Sequence, residues 1–334
     1  MDGAPTASWS VSGTAGSLFD VTVNDGPEKG SRLICARNGV GLQCVVHPDR
    51  GMDIGEVLYQ GFPLTWASLH GHPAPWAFGS GDGNWLDAFG GGLLSTCGLL
   101  FMGKASDENG RLLGLHGNIS RQSAREVAAV TESSGGIAID GRVSESNGFF
   151  TRLDMHRRIR IPRDQAVIEV RDTVTNVGAE SCPLMLLYHM NFGYPLIDPG
   201  ATEIIWPGSA RALWGEESDR DFSHVLPPRD DSGETVAEVE IPEGSVEVIM
   251  HNRRWLGGVA ISISFNAGEL PYLFHWRMFR RGVYGIAVEP STAGLEGRPQ
   301  ERSLGRVRYL APGESQTFGV RVVVWSTRES GADG

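Results

Sequence analysis

Apolar and polar residues alternate with a period of two along most of this chain. In Arg152-Leu-Asp-Met-His-Arg-Arg-Ile-Arg-Ile161, Leu153, Met155, Ile159 and Ile161 share one face. In Phe318–Val324, Phe318, Val320, Val322 and Val324 do the same. Such alternation marks half-buried strands, because successive side chains of a strand point to opposite faces. Val167 to Val177, Ile137 to Val143, Val246 to Met250, Val259 to Phe265, Tyr272 to Met278 and Val283 to Val288 are further predicted strands. Asn147-Gly148, Pro162-Arg163-Asp164 and Pro312-Gly313-Glu314 supply the turns between them. Ser120 to Val130 is the one stretch predicted as a short helix. Many short strands and almost no helix predict an all-β protein, a large antiparallel β-sandwich. The pattern shows no repeat and no linker. One domain over residues 1–334 is therefore expected, with a core from about 30 to 325 and flexible termini. The polar stretch Asp219 to Glu234, with Pro227-Pro228 and Asp230-Asp231, is predicted as an exposed loop.

Charge removes several function classes. The net charge is −11 over 334 residues, and Arg supplies nearly all of the positive charge. Nucleic-acid backbones demand clustered Lys and Arg, so no nucleic-acid partner is expected. The basic run Arg157-Arg158-Ile159-Arg160 falls in an alternating strand and is expected as a solvated face. No apolar stretch approaches membrane-spanning length. The start Met1-Asp2-Gly3-Ala4-Pro5 lacks the pattern of a signal peptide, and a soluble, cytoplasmic monomer or homodimer is expected. Cys35, Cys44, Cys97 and Cys182 match neither zinc spacing nor a redox pair, and read as small hydrophobes. His47, His70 and His72 share no ligand spacing with a carboxylate pair, so neither a bound metal nor another cofactor is expected.

Glycine-rich runs break the strand rhythm at Asp49–Gly55, Gly79–Gly83 and Phe89–Gly98. None carries the Gly-x-x-x-x-Gly-Lys-Ser/Thr pattern, and no βαβ unit surrounds them, which excludes a phosphate loop.

Three other runs each end on a proton-transfer residue. His116 sits in Gly114-Leu-His-Gly117, where flanking glycines permit close approach to a ligand. His189 ends the apolar run Leu184–Tyr188 and precedes Asn191 and Tyr194. Such a histidine, its pKa tuned near neutrality, suits a general acid. Glu289 ends Tyr284–Val288 before Pro290, and partial burial there would raise its pKa and strengthen it as a base. Taken singly, each also fits a structural role: a loop histidine, a satisfied core histidine, a loop-capping glutamate. Arg50 and Asp53, in His47–Gly55, either shape a tight turn or orient a polar ligand. Trp66, Trp76, Trp85 and Trp276 offer rings on which sugar C–H faces could pack, and His275 or Arg277 could face a cleft beside Trp276.

With these residues assembled, the chain resembles the aldose 1-epimerase, or galactose mutarotase-like, superfamily. Within it the chain is most similar to the aldose-epimerase-like branch DUF4432. The likeness rests on Asp49-Arg-Gly-Met-Asp-Ile-Gly55, Phe89-Gly-Gly-Gly-Leu-Leu-Ser-Thr-Cys-Gly-Leu99, Gly114-Leu-His-Gly117, Tyr188-His-Met-Asn-Phe-Gly-Tyr-Pro195 and Glu289-Pro290. It implies a β-supersandwich and a small-molecule carbohydrate as partner. It further implies that His116 binds the sugar, His189 protonates the ring oxygen and Glu289 takes the anomeric hydroxyl proton. Arg50, Asp53, Asn191, Tyr194, Trp85, Trp276 and His275 are the other expected substrate contacts. The glycine-arginine run by which typical mutarotases contact hydroxyls has no counterpart, so substrate contacts are expected to differ. Two other functions use the same residues. One is a sugar isomerase or lyase that abstracts a carbon-bound proton with help from a metal or an arginine. The other is a carbohydrate-binding protein without catalysis.

Overall fold

The computed structural model describes residues 16–77, 85–149, 151–215 and 221–327. The expected runs at Met1–Pro5 and Gly79–Gly83, and the start of the Asp219–Glu234 stretch, lie outside them. The fold is all-β and antiparallel. A meander of five strands begins at Ser17–Thr22 and ends at Phe62–Pro63. An eight-stranded sheet runs from Thr202–Ile205 at one edge to Arg125–Thr131 at the other. A seven-stranded sheet has the Tyr272–Arg280, Val283–Ser291 and Cys182–Gly193 strands side by side, and Ser95–Leu99 pairs with the last of these.

The period-two strands form where the pattern places them, among them Ile137–Ser146, Arg152–Ile161, Val167–Asn176 and Ser315–Ser326. Their inward side chains, such as Ile159, Val174 and Phe318, meet Leu186, Met190 and Phe192 of the seven-stranded sheet and Ile34 and Val46 of the meander in one apolar cluster. This is the sandwich core.

Three expectations fail. Ser120–Val130 is not helical: a 3-10 turn spans Ile119–Arg121 and an edge strand spans Arg125–Thr131. Val127 and Ala129 pack on the core, a period of two that the alanine content obscures. The basic run is not wholly solvated. Arg158 and Arg160 are exposed and pair with Glu132, but Arg157 points inward and is 0% exposed. Its guanidinium donates to Asp172 at 2.6 and 2.9 Å. The polar stretch is not free of the body either, because Phe222 and Val225 are buried within it.

The seven-stranded sheet has apolar contacts on both faces. In Cys182–Gly193, Leu184, Leu186, Tyr188, Met190 and Phe192 enter the sandwich core. Met185 and Leu187 face the other way, into a second cluster with Trp85, Phe89, Val236, Phe274 and Leu295. The strand is buried on both sides, so its sequence shows a continuous apolar run. One step along it decides which side a residue serves. Tyr188 goes to the core and His189 to the opposite face.

Candidate active site

A cavity of about 440 Å³ opens over the second cluster. His189 and Glu289 lie at its floor, 4% and 2% exposed. Strand register brings them together. The Cys182–Gly193 and Val283–Ser291 strands pair Leu187 with Ser291 and Met190 with Val288, which sets His189 across from Glu289. Their closest atoms, His189 Nε2 and Glu289 Oε1, are 3.4 Å apart. That is longer than the charge-assisted hydrogen bond of an ion pair.

Burial governs their protonation. It raises the Glu289 carboxyl to about 8, with the nearby negative charge of Glu234 adding to the effect. It lowers His189 to about 3, helped by His116. Both shifts favour the uncharged form, as desolvation requires. The resting pair therefore holds one proton, on Glu289, with His189 neutral. The sequence reading anticipated the direction for Glu289. It missed that His189 falls far below neutrality.

His116 completes the floor, its ring 5.9 Å from that of His189 and edge-on to it. Burial lowers it to about 4. A tight loop holds it. The His116 N–H donates to the Gly103 carbonyl at 2.9 Å, and the His116 carbonyl accepts from Gly98 N–H at 3.0 Å. Gly117 has φ +79°, and a Cβ there would lie 2.4 Å from the Gly98 and Phe101 carbonyl oxygens. Only glycine fits that position.

Aromatic rings form the walls. Trp85 stacks on Phe89 at 4.2 Å and lies 4.7 Å from His116. Trp66 and Trp276 meet 6.1 Å apart, and Trp276 is 6.3 Å from His189. Trp76 stands apart, 55% exposed on a 3-10 turn. Trp214, Lys104 and Glu234 also line the cavity, and the sequence pattern did not mark them. Lys104 Nζ sits 4.5 Å above the Trp214 ring and pairs with Glu296 at 2.9 Å. Glu234 accepts a hydrogen bond from Trp276 Nε1 at 3.2 Å. Trp214 precedes the polar stretch predicted as an exposed loop and Glu234 ends it, and that context concealed them.

Five expected substrate contacts do not line the cavity. Arg50 is a buried clamp, donating to the carbonyls of Pro73 at 2.6 Å and Ala88 at 2.5 Å. It thereby ties down the turn that carries Trp85 and Phe89. Asp53 lies in the core network, where its carboxylate accepts from Thr96 Oγ1 at 2.6 Å and Arg157 stands 3.7 Å away. Burial raises it to about 6, against the pull of Arg157. Asn191 is fully buried and donates to the Gly92 and His189 carbonyls, both at 3.0 Å. It braces the strand end that presents His189. Tyr194 is 67% exposed beyond that strand. His275 falls on the face of its strand opposite Trp276, against Trp206 and Phe222, with Nδ1 3.0 Å from the Ala287 carbonyl oxygen. Arg277 shares that face and stacks on Phe222.

Among the described residues no group of three or more His, Cys, Asp and Glu is placed to hold a metal ion. Nor is any helix long and apolar enough to cross a membrane. The four cysteines are free thiols.

Solved structures with the same fold span nearly the whole chain. A candidate aldose 1-epimerase from Klebsiella pneumoniae is 23% identical, with a TM-score of 0.85, over 92% of this chain and 83% of its own. A galactose mutarotase-like protein from Clostridium acetobutylicum is 12% identical, with a TM-score of 0.61, over 93% and 99%. A galactose 1-epimerase from Lactobacillus acidophilus is 13% identical, with a TM-score of 0.59, over 93% and 99%. At these identities the likeness establishes the galactose mutarotase-like fold. No curated protein matches the sequence. The model of the family DUF4432, a domain of unknown function, matches residues 28–324, and the chain belongs to that family.

Proposed function

We propose that this chain is an isomerase that exchanges the anomers of an aldose, with His189 and Glu289 as its paired acid and base and His116 holding the sugar. The observation that carries the reading is the buried His189–Glu289 pair, its closest atoms 3.4 Å apart at the floor of an aromatic cavity. Ring opening needs a proton taken from the anomeric hydroxyl and another given to the ring oxygen. The C1–O5 bond then breaks and leaves an aldehyde and a free hydroxyl. Rotation about C1–C2 and reversal of the two transfers close the ring as the other anomer. One proton enters the pair and one leaves at each stage, so the pair ends as it began. Paired acid and base work contributes on the order of 10²–10⁴-fold. Trp66, Trp85 and Trp276 suit the C–H faces of a pyranose. The mutarotase-like fold agrees with this chemistry but does not dictate it.

The test is proton NMR on freshly dissolved single anomers of a sugar panel, with wild type, Glu289→Gln and His189→Asn. Circular dichroism checks that each variant is folded. Wild type is expected to speed exchange for some sugar, and both variants to lose the effect. Undiminished exchange by folded Glu289→Gln would refute the assignment. Sugar binding without exchange by wild type would make the chain a carbohydrate-binding protein.

A further inference from the structure

The polar groups of the cavity occupy two levels. His116, His189 and Glu289 form the floor. Lys104 and Glu234 stand at the mouth, and both are already engaged: Lys104 with Glu296, Glu234 with the Trp276 indole. Most of the remaining lining is apolar: Leu115, Val236, Met278, Val283 and Leu295, with the rings of Trp66, Trp85, Trp214 and Trp276. Among the described residues no Arg, Asp, Asn, Gln, Ser or Thr side chain lines the cavity.

A common hexose carries a hydroxyl on nearly every carbon. The floor groups can serve the anomeric oxygen, the ring oxygen and one neighbour. Hydroxyls turned to the carbon wall lose water without gaining a partner, which disfavours binding. A methyl or methylene in the same place gains from leaving water. Resting on the anomer-exchange reading, we infer that the site takes deoxy aldoses, sugars with C–H in place of a hydroxyl where they meet the Leu115–Val236–Met278 wall. This inference concerns which sugar fits, and binding tests it separately from catalysis.

Isothermal titration calorimetry on wild type and Glu289→Gln would compare matched pairs: glucose with 6-deoxyglucose, glucose with 2-deoxyglucose, galactose with 6-deoxygalactose. At least one deoxy member is expected to bind about 10- to 100-fold more tightly than its parent, the scale at which apolar pockets discriminate. Equal or weaker binding of every deoxy member, or no binding at all, overturns the inference. NMR anomer exchange on the same pairs separates the two claims. A binding preference without exchange ends the catalytic reading and keeps the deoxy-sugar site. Exchange without a binding preference does the reverse.

Discussion

Replacing Glu289 with Gln should flatten the pH dependence of folding stability. The carboxyl is 2% exposed, and burial raises it from 4.5 to about 8. Between those values the folded chain keeps a proton that the unfolded chain releases. The stability this group contributes is complete below pH 4.5 and is lost as the pH rises towards 8. At 1.36 kcal/mol per pKa unit, the loss between pH 5 and pH 9 comes to about 4 kcal/mol. Gln fills the same space and cannot ionise, so the variant lacks this loss. His189 has the opposite sign. Lowered to about 3, it contributes stability at neutral pH that is lost as the pH falls from 6.5 through 3. It is present in both proteins and cancels in their comparison. Urea unfolding of both at pH 5, 7 and 9 measures the difference. Wild type is expected to lose about 4 kcal/mol more than Glu289→Gln over that range. Curves that run parallel within about 1 kcal/mol would mean that Glu289 is ionised in the folded site, and the resting state deduced for the pair would be wrong.

The rate of anomer exchange should hold steady through neutral pH and fall above about pH 8, where the pair loses its proton; a fall centred near pH 6.5 would place that proton on an ordinary histidine instead. Arg157→Met should cost about 3–5 kcal/mol in chemical denaturation, because it strands Asp172 in the core. Arg158→Ala, at a half-exposed position, should cost less than about 1 kcal/mol. Gly92→Ala should destabilise by about 1–3 kcal/mol or more from its backbone alone. Its φ is +86°, and its Cβ would sit 2.7 Å from Ile54 O and Gly55 Cα. Near-neutral stability of that variant would show that the two segments part easily.

The sandwich was legible because solvent imposes alternation on strands with one wet face. Arg152–Ile161 and Ser315–Ser326 show this plainly. The floor of the cavity was legible because His116, His189 and Glu289 each interrupt apolar or glycine-rich surroundings that give a polar group no other reason to be there. Arg50, Asp53 and Asn191 interrupt such surroundings too, yet they bind backbone carbonyls or other buried side chains. From sequence, a polar residue that braces a site looks like one that lines it. What separates them is the partner, and partners come from Pro73, Ala88, Thr96 and Gly92, all distant in the chain. His275 failed for a smaller reason. Its neighbour Trp276 faces the cavity, so strand geometry turns His275 away. Arg157 was misread by the reverse error, since its partner Asp172 sits on the adjacent strand where no local pattern announces it.

The position of the single proton settles how the proposed chemistry starts. Burial raises Glu289 and lowers His189, so moving the proton from carboxyl to imidazole is uphill if each charge stands alone. The charges would not stand alone. At the observed 3.4 Å they attract by about 5 kcal/mol in a medium of effective dielectric 20. The ionic form therefore lies closer to the neutral one than the two separate shifts imply. The resting state favours Glu289 as donor to the ring oxygen and His189 as acceptor of the anomeric proton. The reverse order, which the mutarotase resemblance implies, starts from the less populated ionic form. Since closing the ring runs both transfers backwards, a working pair needs both orders within reach, and burying the two groups together at this spacing keeps them so.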